Sequence, residues 1–152
     1  MKKTSKKISD HISFKEATHS ETAKRLGIKN TPSEDHIKNM QLVSEKIFEP
    51  LREWADHPIR INSMYRSEEL NSRIGGAISS AHKEGLAIDL TSIGSKTNLE
   101  LFYYIKDNLD FDQLIWEFGD EPRWLHVSYK KEGNRKQVLV TKKQGVYYTW
   151  VD

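Results

Sequence analysis

The run Leu86–Leu90, L-A-I-D-L, constrains this chain more than any other stretch. Its residues follow the period of two that a strand requires. Leu86, Ile88 and Leu90 face one side, Ala87 and Asp89 the other. An acid inside such a run needs an answer, because a buried carboxylate without a partner or a metal is costly. Upstream stands His82, with Gly85 between the two to permit a turn. The fold therefore has to bring a polar or metallic partner to Asp89 on the face of a sheet.

The chain around that run has 152 residues, which predicts one domain over 1–152, with the polar stretch 1–10 flexible at its start. The sequence holds no cysteine, which excludes disulfides, thiolate zinc sites and a cysteine nucleophile. Its net charge of +2 is too weak to argue for nucleic acid, and the lysine-rich "MKKTSKK", "KKEGNRK" and "KKQG" read as solvated loops. No apolar region follows the basic opening, and no apolar run approaches the roughly 20 residues needed to cross a bilayer. The expectation is a chain made in the cytoplasm without signal peptide or membrane anchor, acting as a monomer.

Helical signals come mostly first. "TPSEDHIKNMQLVSEKIFEPLREWA" carries Ile37, Met40, Val43, Ile47, Leu51 and Trp54 at steps of three and four. Thr31 and Glu34 fit a capping box with Pro32 at the first helical position, and Pro50 predicts a kink or a split. "IRINSMY" reads as a strand, and Ser67 as the cap of a short helix ended at Gly75-Gly76. "TNLELFYYIKDNL" is a second capped helix, from Thr97 and Glu100. "FDQLIWEFG" and "RWLHVSYK" predict two strands joined tightly through "DEP", and "KQVLVTK" with "VYYTWV" a closing hairpin. Without regular βαβ alternation, this order predicts an α+β fold with a central, mainly antiparallel sheet and helices packed around it.

The same period of two gathers the polar residues. Trp124, His126 and Ser128 share one face of their strand, and Gln113, Ile115 and Glu117 one face of theirs. A hairpin between the two puts Glu117 opposite Trp124 and within diagonal reach of His126. His82, Asp89 and His126 then supply two imidazoles and a carboxylate, the three protein ligands of a catalytic zinc site with its fourth position open to water. Zinc brings the pKa of such a water to about 7. Glu117 is placed to take and return the proton.

"SAHKEGLAID" fits S-x-H-x-x-G-x-A-x-D, the signature of the zinc D-alanyl-D-alanine carboxypeptidase family, and "INSMYRS" resembles that family's strand ending in S-x-Y-R-S. "FDQLIWEF" followed by "WLHVSY" resembles its small, often phage- or prophage-encoded branch. The family includes D,D-dipeptidases and phage endolysins that cut L-alanyl-D-glutamate bonds. The resemblance spans residues 12 to about 140. It implies a hedgehog-like (D,D-peptidase-like) α+β fold, one zinc ion, and hydrolysis of peptidoglycan stem peptides, with holin-type release to reach the wall. Carried over, His82, Asp89 and His126 are the metal ligands, Arg66 holds a substrate carboxylate or carbonyl, and Ser80 orients a ligand or the substrate.

One position departs from the pattern. Many members place the catalytic acid three residues before the second histidine, where this chain has Arg123. Glu117 on the strand and Glu121 in the turn remain as candidates, with hairpin geometry favouring Glu117. Trp124 becomes a wall of the cleft. The departure also keeps open a metal-containing module that binds cell wall without cutting it. His11, His19, His36 and His57 lack such a context, and His36 is expected to be solvated.

Overall fold

The computed structural model describes residues 7–151. The expectation of a flexible start falls, for residues 1–6, outside the described residues. Residues 7–10 depart from it. Lys7–Ser9 form a strand, β1, paired antiparallel with β2 (Ile12–Ser13). Glu49 holds this ribbon, accepting from Ser9 Oγ at 2.6 Å, from the His11 backbone N–H at 2.8 Å and from His11 Nδ1 at 2.7 Å.

Two short helices follow, α1 (Phe14–Thr18) and α2 (Glu21–Leu26), the second ended by Gly27 in the left-handed region. The long helical stretch starts later than the capping signal at Thr31 and Glu34 suggests. Ser33 caps α3 (Glu34–Val43), and the imidazole of His36 accepts the returning Ser33 N–H at 3.2 Å. His36 is thus half-buried and occupied, with its ring 4.9 Å from that of Tyr65. Pro50 neither breaks nor sharply splits the helix. It lacks an N–H for the turn below it and its ring crowds the carbonyl there. The chain widens into one π-helical turn, Ser44–Phe48, before α4 (Glu49–Ala55) resumes.

The main sheet has six strands in the order β3 (Ile59–Ser63), β4 (Ala87–Ser92), β6 (Trp124–Ser128), β5 (Gln113–Glu117), β7 (Gln137–Lys143) and β8 (Val146–Thr149). Neighbours are antiparallel except β5 and β7, which run parallel, so the sheet is mixed. Ser67 caps a short helix, α5 (Glu68–Arg73), and helix α6 (Asn98–Asn108), with the capping box of Thr97 and Glu100 in place, crosses one face. Its Leu101, Phe102 and Ile105 are fully buried against Ile88, Leu90, Leu114, Leu125 and Val127, together with Met40, Ile47 and Leu51 from the long helical stretch. Each such side chain contributes about 1.5–3 kcal/mol of burial. One face of the sheet is thereby spent on the core. The other carries Asp89, His126 and Glu117.

Candidate metal centre

Asp89 and His126 are direct partners across the β4–β6 ladder, and Glu117 pairs with Trp124 one step along the β5–β6 ladder. Directly opposed residues share a face, so the three acidic and imidazole side chains rise on the same side. His82 reaches them from a 3₁₀ turn, Ala81–Glu84. Ser80 caps that turn, accepting the His82 backbone N–H at 3.2 Å. Gly85 closes it at φ 79°, where a Cβ would stand 2.7 Å from the His36 carbonyl oxygen. The turn is also tied to its surroundings by Asn39 Nδ2 donating to the Glu84 carbonyl at 2.7 Å and by the Arg66 N–H donating to the His82 carbonyl at 3.1 Å.

Asp89 sits at the focus. Its Oδ1 is 3.1 Å from His82 Nε2 and 2.9 Å from His126 Nδ1, while Oδ2 takes Arg66 Nη2 at 3.4 Å. Burial opposes ionisation of this carboxylate, but charge and hydrogen bonds from the imidazoles in their protonated form outweigh it and hold its pKa well below the usual range. His82 is fully enclosed, and burial lowers its pKa, favouring the neutral ring despite the carboxylate beside it. Its Nδ1 lies 2.7 Å from the Met64 carbonyl, which can only accept, so the ring proton belongs on Nδ1. Nε2 of the neutral ring then turns a lone pair toward a carboxylate oxygen. A cation held by His82 and Asp89 would resolve that clash.

The donor set fits a zinc ion in this way. One ligand atom from each of His82, Asp89 and His126 lies within 4.8 Å of the others, the residue types are those of catalytic zinc sites, and the Met64 carbonyl fixes the tautomer of His82.

Arg66 does not pair with Glu68 or Glu69 at the surface. Its guanidinium is largely buried, donating from Nε to Ser63 Oγ at 3.1 Å and from Nη1 to Asn71 Oδ1 at 3.1 Å, besides its contact with Asp89. Asn71 is held in turn by the Ala77 carbonyl at 2.8 Å, and a Cβ on Gly76 would collide with it at 2.1 Å. A cavity of about 280 Å³ opens beside Arg66, lined also by His19, Ser20, Asn62, Ser63 and Leu70.

Glu117 is half-buried on the same face. Burial and the negative charge of Asp89 outweigh His126 and Arg66 and raise its pKa to about 7. Glu121 and Arg123, in the connecting turn, are exposed. Trp124 is half-buried, edge-on to Phe118 with 5.3 Å between ring centres. Ser80 is spent on the turn that carries His82. Sequence reasoning did not single out Asn71 or Met64. Neither has a motif of its own, and only the folded loop gives their contacts.

The fold and this two-histidine, one-carboxylate cluster define the class, an α+β protein with a metallopeptidase type of donor set. The Peptidase M15 family model matches residues 10–128, and the chain belongs to that family of zinc peptidases. A comparison with curated proteins gives no match. Among the described residues, no helix is long and apolar enough to cross a membrane.

Proposed function

We propose that this protein is a zinc-dependent peptidase acting on the stem peptides of bacterial peptidoglycan, with His82, Asp89 and His126 holding one ion. The observation that carries the reading is the convergence of these three donors, two buried and one half-buried, on the face where Glu117 also rises. When bound, zinc supplies a Lewis acid and an acidified water. The chain's own residues do the rest. Glu117, with a pKa near the working range, accepts a proton and returns it to the leaving amine. Arg66 is fixed by Ser63 and Asn71, so its fork meets a substrate carboxylate or carbonyl without further ordering. Trp124 walls the cleft, and Ser80 acts through the turn that positions His82.

The test pairs metal analysis with turbidity clearing of purified peptidoglycan, for wild type and His126→Ala. One zinc per chain and clearing, both lost in the variant, is the expected result. Mass spectrometry of the released fragments then assigns the bond, a terminal D-alanine marking a carboxypeptidase and an internal cut an endopeptidase. Zinc without clearing or fragment release overturns the hydrolase reading and favours a metal-containing wall-binding module, for which Arg123 is the motive.

A further inference from the structure

The family match ends at residue 128, and the sheet does not. Strands β7 and β8 add a hairpin to the edge beside β5, and the register of that addition is specific. Glu117 pairs with Thr141 on β7, and Thr141 pairs with Tyr147 on β8. Residues matched across a ladder share a face, so Tyr147 stands in the same row as Glu117, on the site face, two strand spacings or roughly 10 Å along. Between them Thr141 is buried and turns its hydroxyl to the Lys143 carbonyl at 2.8 Å. A break in the β7–β8 register between Thr141 and Lys143 bends the hairpin at this point.

Tyr147 is half exposed, at 50%. Among the described residues its ring stacks on no other aromatic side chain and its hydroxyl has no hydrogen-bond partner. The hydroxyl nevertheless senses the centre. Burial, Glu117 and Asp89 all push the phenol's pKa up, so it stays protonated and can donate. This large aromatic side chain, at the edge of a charged cleft, leaves half of its surface and its hydroxyl donor open to a ligand. Arg66 lies at the opposite end of the row, beyond β4.

On the proposed peptidase reading, we infer that Tyr147 is a substrate-binding residue. Its hydroxyl donates to a peptide carbonyl of the stem peptide on the side of the scissile bond away from Arg66, and its ring covers that segment. The substrate then crosses the strands, anchored by a cation at one end and a neutral donor at the other.

The experiment uses the zinc-loaded chain and soluble synthetic stem peptides. Tyr147→Phe removes the donor and keeps the ring. Loss of one hydrogen bond predicts KM raised about three- to tenfold at unchanged kcat and zinc content. Tyr147→Ala raises KM further. Calorimetric binding of the same peptides to Glu117→Gln, with and without Tyr147→Phe, is expected to weaken by a similar factor. Cleavage by the wild type with KM and binding unmoved in the Phe variant overturns this inference alone. A wild type that binds zinc but cleaves no stem peptide overturns the proposed function, and this inference with it.

Discussion

Two aspartates are buried among the described residues, and their surroundings differ in kind. Asp112, at the entrance to β5, is fully answered by the chain. Arg135 meets it with Nε at 2.9 Å and Nη2 at 2.8 Å, and the Arg135 N–H adds a contact at 3.2 Å. Asp89, two strands away, meets two imidazoles through one oxygen, one of them offering a lone pair rather than a proton. Both carboxylates are held in the charged form. The lesson is that burial and a depressed pKa do not separate a lock from a socket. The partner's protonation does. A guanidinium closes the account at Asp112, whereas the donors around Asp89 still point inward at one another.

The contrast can be broken most severely at Asp89. Asp89→Ala is expected to lose both zinc and hydrolysis while far-UV circular dichroism keeps its native shape. Chelation of the wild type should reproduce the loss, and zinc should reverse it. A variant that clears peptidoglycan as well as wild type would place Asp89 with Asp112 as a structural acid.

Next in size is Glu117→Gln. Zinc should remain at one per chain while turnover falls about 10²–10⁴-fold, the usual weight of a general base. The companion variant Glu121→Gln should keep wild-type turnover, and the reverse outcome would move the base into the turn.

At the other aspartate, the expected effect is on stability. Asp112→Ala should cost about 1–3 kcal/mol, the weight of hydrogen bonds to a charged group, and lower Tm by several degrees. Turnover per folded molecule should not change. Denaturation midpoints and active-site-normalised rates check the two halves of this statement separately.

The last effects are in the pH dependence of stability, and they have opposite signs. The folded pKa of Asp112 lies below its ordinary 3.8 because Arg135 binds the charged form. Its contribution is present above that ordinary value and lost as pH falls through the folded pKa. Asp112→Asn should therefore differ most from wild type near neutrality and converge with it in strong acid. Glu117 is shifted upward, from 4.5 to about 7. In the metal-free chain its protonated form is favoured, so its contribution is complete below 4.5 and fades as pH rises through about 7. Metal-free Glu117→Gln should gain on wild type between pH 5 and 8, as thermal melts at each pH would show.

Much of this geometry was legible in the sequence because a strand's period is rigid. Alternation in L-A-I-D-L and W-L-H-V-S dictates which side chains share a face, and a six-residue connection leaves little choice of register for Glu117 against Trp124. Signals that compete locally were harder. Thr31 and Ser33 are both good caps, each with a third residue, Glu34 or His36, able to reach back, and the helix starts from Ser33. Pro50 could be met by a break or by widening, and the hydrophobic face running on to Leu51 held the helix together. Least legible was which edge the last hairpin joins. Periodicity says how β7 and β8 face, but the parallel seam with β5 is a contact between distant parts of the chain, and Tyr147 joins the row of Glu117 only through it.

That seam also bears on the order of assembly. The β5–β6 hairpin closes through neighbouring residues, whereas β7 must travel back past β6 before it can pair. Short loops close sooner than long ones. The sheet is thus expected to mature outward from its middle, and pulse-labelled amide exchange during refolding should protect Leu114 and Val127 before Val138 and Tyr148. A nascent chain in that interval would already have Glu117 and His126 in register, yet lack the strand that frames the cleft's far rim.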